Sequence, residues 1–549
     1  MGTVVRARKA EFGDLQINAA MQLSKAEKKP PREIAARILE AVKDHDAVAK
    51  AEIAGPGFVN IFIKDAWLAA QAGSALAVRR SAAGQRVVID YSSPNVAKPM
   101  HIGHIRSTII GDAIKRALRA VGYEVVADNH LGDWGTQFGK LIVAYRKWLD
   151  ADAFQRAPVA ELLRLYIKFQ EESKTKEDDD LDAATPLVKE ARAELVKLQQ
   201  GDPENLALWQ KFVDVSMNEF NRVYQRLGVE FDVLLGESFY NDRLAGTVER
   251  LVKEGIAEES QGALVVFFRK PDGSDEMPPA IVQKGDGGFN YATTDVAGVL
   301  YRVERWSPAR IIILTDERQQ LHFRQFFAIA RRLGVTCSLE HVWFGLMRLP
   351  EGTISTREGK LIGLEALLDE AESRAFEVAT QASAELPEAD RREIARVVGL
   401  GAVKYNDLSK DRQTLVTFTW DKALSLTGNS GPYLQYAYAR IQSILRKGKQ
   451  EHAAEPGAIG ALESSERVLL TKLYDFGAAV EAVASTTRPH LLCDYLYDLA
   501  GAFSTFYGEH QVLKAEPTVR ASRLRLCELT ARALKDGLTI LGIEVLERM

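Results

Sequence analysis

His101-Ile102-Gly103-His104 opens a helical pattern directly after a strand-like run. Two imidazoles, a glycine and a helix N-terminus can make a phosphate site. Unpaired N–H groups and the helix dipole favour anionic oxygens, the glycine admits a ligand to the backbone, and the rings can donate to a strained phosphate. The tetrapeptide alone is also compatible with two surface histidines beside a glycine. Farther along, Tyr291 and Asp295 lie four residues apart, hence on one helix face if that segment is helical.

Periodicity indicates which elements carry these groups. Residues 86–92 read as a strand, 93–104 as a loop, and the next segment as a helix with Ile109, Ala113, Ile114, Ala117 and Val121 on one stripe, ended by Gly122. A second strand follows, giving a βαβ unit and a parallel sheet. Another α/β stretch runs from Gly262-Ala263-Leu264-Val265 through the apolar run Ile311-Ile312-Ile313-Leu314 and a helix to a strand around Val342. Residues 151–236 between them are helical and charge-rich, with the run Glu177-Asp178-Asp179-Asp180 reading as a solvated tip. The sheet is therefore one domain split by an insertion. Such sheets bind ligands at strand carboxyl ends near the crossover, where Asp90, Ser93, Asn95 and His101 fall. Upstream, Pro31 opens a helix bearing Ile34, Ile38 and Val42, and Gly55-Pro56-Gly57 breaks the chain before a strand. From Leu364 the pattern is helical to Met549, broken near Gly428–Pro432 and by a soft linker at 451–460.

Composition narrows the class. With 549 residues, 46% apolar and 27% charged, the chain has ample material for packed cores. Lys+Arg 71 against Asp+Glu 75 gives net −4, so RNA would have to be held by local patches. No apolar stretch reaches the ~18–20 residues of a membrane span, and the start has no apolar signal core. The expected location is the cytoplasm. Cys337, Cys493 and Cys527 are far apart with no Cys-x-x-Cys, so neither a disulfide framework nor a structural zinc is expected.

The run Ser92-Ser93-Pro94-Asn95-Val96-Ala97-Lys98-Pro99-Met100-His101-Ile102-Gly103-His104 resembles the signature of the class I arginyl-tRNA synthetases. Asn129-His130-Leu131-Gly132-Asp133-Trp134-Gly135-Thr136-Gln137 is similar to that family's next block. Tyr291-Ala292-Thr293-Thr294-Asp295, Arg318-Gln319-Gln320-Leu321-His322-Phe323, Ser355-Thr356-Arg357-Glu358-Gly359-Lys360 and Gly428–Arg440 follow in family order, and residues 542–549 resemble the family's ending. The resemblance spans essentially the whole chain. It implies an α/β fold with a Rossmann-like parallel-sheet catalytic domain (81–363, helical insertion 151–236), a small N-terminal α+β domain contacting tRNA (1–80), and a C-terminal helical bundle (364–549) that binds the anticodon mainly from about 430. It further implies a monomer that needs bound tRNA for activation.

The implied reaction has two steps. Arginine attacks the α-phosphate of ATP, pyrophosphate leaves with Mg²⁺, and the 2′-hydroxyl of the terminal adenosine of tRNA-Arg takes the arginyl group. By resemblance, Tyr291, Asp295 and Gln319 hold the guanidinium, while Asp90, Ser93 and Asn95, with His101 nearby, hold the α-amino and carboxylate end. A planar cation with five donors demands such acceptors. ATP falls to His101, Gly103, His104, Ser355 and Thr356. The family's mobile Lys-Met-Ser-Lys-Ser loop is degenerate here, with Arg357 replacing its second lysine. Lys98, supported by Arg357 or Lys360, is the expected cation for the developing phosphate charge. Tyr433, Tyr436 and Tyr507, with Tyr438, Phe503, Phe506, Arg440 and the basic run Arg446–Lys449 nearby, are candidate anticodon readers or core aromatics. Two other readings compete: a cysteine or glutamine synthetase, which Asp90 and Asp295 disfavour, and a non-catalytic paralogue, which would have no reason to retain Lys98, His101, Gly103, His104 and Asp295.

Overall fold

The computed structural model describes residues 4–7, 9–173, 185–285, 287–348 and 363–549. At the N-terminal end β1 (Val4–Arg6), β2 (Leu15–Ile17), β3 (Val48–Ala54) and β4 (Phe58–Ile63) form an antiparallel sheet in the order β1-β2-β4-β3. Helices α1 (Ala19–Glu27) and α2 (Pro31–Val42) pack on it, with Ile34 and Ala35 joining Ile17, Val59 and Ile61 in one core. The segment read as one turn and one strand is a hairpin. Gly55 takes φ 53° and Gly57 φ 155°, letting β3 fold back on β4. The Ala- and Lys-bearing β3 shows little alternation, so periodicity missed it. Helix α3 (Asp65–Ala70) leads out.

β5 (Arg86–Asp90), α4 (Ile102–Ala120) and β6 (Glu124–Asp128) form the expected βαβ unit, with β5 and β6 parallel in register Asp90↔Asp128. α5 (Thr136–Trp148) follows, and the residues read as the insertion form α6 (Ala151–Arg156), α7 (Pro158–Ser173), α8 (Pro186–Gln199) and α9 (Pro203–Leu227). The acidic run at 177–180 lies outside the described residues. After a 3-10 turn at Glu237–Tyr240 and α10 (Asn241–Lys253) come β7 (Glu258–Ser260), β8 (Ala263–Arg269) and β9 (Asp275–Gln283). Sequence assigns β8 to the α/β sheet. Instead it pairs antiparallel with β7 and β9 in a sheet of its own. An isolated apolar run cannot disclose its partner.

α11 (Tyr291–Trp306), β10 (Arg310–Asp316), α12 (Gln320–Arg332) and β11 (Ser338–Phe344) complete the parallel sheet, order β11-β10-β5-β6. Both faces are buried. Val87, Ile89, Ile312 and Leu314 meet α4 residues Ile105 and Ile109, whereas Val88, Ile311 and Ile313 meet Val296, Phe323 and Phe326 of α11 and α12. The strand order reverses between β5 and β10, which puts the ligand crevice at their carboxyl ends.

The short pair β12 (Met347–Arg348) and β13 (Val416–Thr417) ties the sheet domain to helices α13 (Leu364–Ala382), α14 (Glu388–Leu408), α15 (Trp420–Ala423), α16 (Gly431–His452), α17 (Ser464–Leu473), α18 (Phe476–Thr486), α19 (His490–Glu509) and α20 (Pro517–Ile540). The N-terminal domain is clamped to this bundle by Arg467, which donates to Asp14 (2.8 and 2.9 Å) and Asp65 (2.6 Å). Glu463, Glu466 and His510 lie close together, but Arg523 donates to Glu466 at 2.7 Å and Glu463 at 2.9 Å, so a guanidinium already supplies that cluster's cation. Among the described residues, no helix is long and apolar enough to cross a membrane.

Candidate active site

The loop from β5 to α4 holds three non-glycine residues at positive φ: Ser92 (75°), Ser93 (50°) and Ala97 (64°). Each such residue costs on the order of 1–3 kcal/mol and persists only where its surroundings over-determine it. The side chains that do so are identifiable. Ser92 N–H donates to Ser107 Oγ (2.9 Å), and Ser92 Oγ shares hydrogen bonds with Thr108 Oγ1 and Tyr224 Oη (2.8 Å each). Ser93 N–H donates to Asn129 Oδ1 (3.0 Å), and Ala97 N–H to Ser216 Oγ (2.9 Å). The exposed Asn95 pairs with Gly132 as a parallel bridge, and a Cβ on Gly132 would lie 2.0 Å from Asn95 Oδ1. That approach is what requires glycine there.

His101 caps α4. Its Nδ1 accepts from Gly103 N–H (3.0 Å), while His101 N–H donates to His104 Nδ1 (3.1 Å), a capping box built from imidazoles. Both Nδ1 atoms act as acceptors, so each neutral ring carries its proton on Nε2. Burial, and then Lys98, holds His101 below the usual imidazole range, and burial with His101 beside it brings His104 down to about 3. Both rings are thus neutral N–H donors at physiological pH. A Cβ on Gly103 would lie 2.7 Å from His101 Cε1, so only glycine lets the ring fold over the helix start.

Asp90 ends β5 fully engaged. Its Oδ1 accepts from Ser93 Oγ (3.0 Å) and its Oδ2 from Arg302 (2.6 Å), which also binds Asp128 (2.7 Å). Asp90 is therefore ion-paired within the protein and shares the Arg302 guanidinium with Asp128, a partner that sequence did not indicate. Tyr291 opens α11 and is 67% exposed. One turn on, Asp295 Oδ2 lies 2.5 Å from Nε2 of His322 on α12. Gln319 is exposed in the 3-10 turn that leads into that same helix. Ser355, Thr356, Arg357 and Lys360 lie outside the described residues.

Several polar groups around these were not singled out from sequence. Glu237 N–H donates to Leu131 O (3.0 Å) in the loop after β6, and its neighbour Ser238 binds the Asp133 carboxylate through N–H (2.8 Å) and Oγ (2.6 Å). Burial, with Asp295 and Asp133 adding to it against His130, pushes the Glu237 carboxyl up to about 7. His130 Nδ1 donates to Leu235 O (2.7 Å). Burial would lower its pKa, but Asp90, Asp295 and Glu237, against Arg302, hold it above the ordinary value. Glu237, Asp133, Asp295 and His130 therefore lie close enough to act on one another's charge, an acidic recess past the carboxyl end of β6, while the neutral N–H donors sit at the start of α4 after β5. The recess suits a cationic ligand and the helix start an anionic one. Glu237 follows the insertion without any periodic pattern, so only the fold brings it here.

Of the aromatics proposed as readers, Tyr436 is 46% exposed on α16 and Tyr433 is half-buried beside Tyr497, 5.8 Å between ring centroids. Tyr507 lies over Phe503 with the Arg440 guanidinium 4.8 Å from its centroid. Tyr438, Phe503 and Phe506 are at most 3% exposed and belong to the core. Their helical spacing is that of a packing stripe.

Comparison with known proteins agrees in order along the chain. Residues 2–63 match the family model described as arginyl tRNA synthetase N terminal domain, 69–420 the class I (R) tRNA synthetase catalytic domain, and 434–549 the DALR anticodon binding domain. The arginine–tRNA ligase of Fusobacterium nucleatum is 45% identical over 548 residues, 99% of this chain and 94% of that protein. The solved Thermus thermophilus arginyl-tRNA synthetase matches with TM-score 0.84 at 26% identity, covering 100% of this chain and 96% of that one. The Plasmodium falciparum arginyl-tRNA synthetase matches with TM-score 0.80 at 25% identity, covering 100% and 95%.

Proposed function

Because the chain belongs to the class I arginyl-tRNA synthetases and is an arginine–tRNA ligase that binds arginine, ATP and tRNA-Arg, we propose how its residues divide the reaction. Asp295 and Glu237 take the guanidinium, with Tyr291 and Gln319 supplying further acceptors. Ser93, oriented by the ion-paired Asp90, and Asn95 hold the α-amino and carboxylate end with Asp90 itself. The His101 and His104 Nε2–H groups, the Gly103 backbone and Lys98 hold the triphosphate, which arrives as its Mg²⁺ complex. The arginine carboxylate then attacks the α-phosphate, pyrophosphate leaves, and the 2′-hydroxyl of the tRNA terminus accepts the arginyl group. Positioning and charge stabilisation supply the rate, without a protein nucleophile. Ser355, Thr356, Arg357 and Lys360 complete the ATP side. Residues 1–80 touch the tRNA body, and the bundle from about 430 reads the anticodon through Tyr433, Tyr436 and Tyr507. The reaction belongs in the cytoplasm, where its tRNA and ATP are supplied.

The observation that carries this reading is the start of α4 after β5, whose two imidazoles are neutral N–H donors, and the acid cluster of Glu237, Asp133 and Asp295 supports the cationic side. Gly132→Ala tests the α-amino side. The new methyl displaces the Asn95 amide, and losing about one hydrogen bond, ~1–1.5 kcal/mol, should raise the arginine KM roughly tenfold. The KM for ATP should stay within twofold. An unchanged arginine KM would remove Asn95 from the site.

The pH dependence follows from Glu237. Its carboxyl is raised to about 7 in the free protein, whereas a bound guanidinium favours the carboxylate. Below that pH, binding must expel a proton, so the arginine KM should climb by up to tenfold per unit as pH falls and stay flat above it. His104, titrating at about 3, adds nothing in this window. Glu237→Gln should raise KM at pH 8 and flatten the slope. A slope that persists unchanged in that variant would shift the effect to His130 and take Glu237 out of the pocket.

A further inference from the structure

The reaction just described gives the helical insertion no task, yet its contacts concentrate on one short stretch. Val96 and Ala97 are 0% and 1% exposed and belong to the insertion's own core, with Phe138, Leu162, Phe169 and Phe212. Ala97, at φ 64°, donates its N–H to Ser216 Oγ of α9, which in turn donates to Phe212 O at 2.7 Å. The next residue is Lys98, whose Nζ lies 5.0 Å from the ring centroid of Tyr166 on α7. At the other end of the loop, Tyr224 of α9 binds Ser92 Oγ (2.8 Å) and accepts from Asn129 Nδ2 (3.1 Å). Two insertion helices thus hold the backbone one residue before the ammonium-bearing lysine and face its side chain.

We propose that the insertion sets the position of Lys98, with Tyr166 and Ser216 as its positioning residues: the Tyr166 ring face directs the ammonium and Ser216 holds the left-handed Ala97 that launches it. This rests on the reading of Lys98 as the phosphate cation. A lysine has four rotatable bonds and a strongly hydrated head, so a charge needed at one place in the transition state gains from a fixed π face and an immobile Cα. The insertion supplies both: Tyr166 and the first half of α9 pack in the core that holds Val96 and Ala97, while Phe220, Val223, Tyr224 and Leu227 at the end of α9 join the core under the sheet, so α9 ties the cation to the sheet domain.

The test is a double-mutant cycle on the full-length enzyme, reading arginine-dependent pyrophosphate exchange with tRNA-Arg present. Tyr166→Leu should lower kcat about tenfold, the scale of one partly desolvated cation–π contact, with both KM values within twofold. Tyr166→Phe, which keeps the ring, should restore kcat. In a Lys98→Ala background Tyr166→Leu should change nothing further. Ser216→Ala removes one oxygen at nearly constant volume and repeats the cycle should the leucine variant fold poorly. Independent, multiplying effects of the Lys98 and insertion variants would overturn the proposal, as would wild-type kcat in both Tyr166→Leu and Ser216→Ala. Wild-type kcat in Lys98→Ala alone would instead fell the underlying reading of Lys98, and the proposal with it.

Discussion

Asp295→Ala should cost ~2–5 kcal/mol in arginine recognition, a rise in arginine KM of roughly thirtyfold to several thousandfold. The size follows from what is left behind. A guanidinium placed between Asp295 and Glu237 would keep one carboxylate of two, and His322 would lose the acceptor that its Nε2 meets at 2.5 Å. The imidazole anchors one oxygen of Asp295 and leaves the other to meet a planar fork, so the substitution removes direction as well as charge. The KM for ATP should be nearly unaffected. Asp295→Asn keeps the shape and loses the charge, so its penalty should fall close to that of alanine. Steady-state pyrophosphate exchange at varied arginine checks both variants, and an unchanged arginine KM in Asp295→Ala would remove it from the pocket.

Lys98→Ala is expected to act on the rate. The described site offers neutral donors to the phosphates: His101 and His104 are both held uncharged, and their cap hydrogen bonds orient them with Nε2–H as the available donor. A positive charge has to come from elsewhere, and Lys98, three residues before the capping histidine, is the described candidate. Removing a preorganised charge partner from a developing phosphate oxyanion typically costs 10²–10³ in kcat. The same fall is expected here, with the arginine KM unchanged. Single-turnover formation of the adenylate is the cleanest readout. A normal rate would leave Lys98 a solvated loop residue.

The legible part of this molecule was what depends on local pattern. The βαβ unit around β5, α4 and β6 follows from apolar spacing with Gly122 at the helix end, and His101, Gly103 and His104 sit at that helix start as expected. Tyr291 and Asp295 do fall on α11 one turn apart. What escaped is non-local. Arg302, 212 residues from Asp90, pairs with it, and no spacing rule couples them. Glu237 enters the acidic recess because Ser238 and Gly236 pack on the Asp133 carboxylate, again a contact that only the fold creates. His322 lies within the family-like run Arg318–Phe323, but its link to Asp295 needs α11 and α12 side by side. The aromatic stripe of α16 and α19 shows an alternative that sequence left open and the fold decides. Tyr438, Phe503 and Phe506 look like base platforms by composition, but the same 3.6-residue period that aligns them also turns them into the bundle.

The most direct test of the account is arginine-dependent pyrophosphate exchange by the purified chain with tRNA-Arg present, beside lysine and glutamine at equal concentration. If the proposed acceptors close around a five-donor planar cation, the enzyme should exchange with arginine and reject the other two by ~10⁴ or more, with no editing step. Exchange with lysine within a hundredfold of arginine would show that the recess reads charge without shape. No exchange with any amino acid, in a preparation that binds tRNA-Arg, would contradict the catalytic reading of the site.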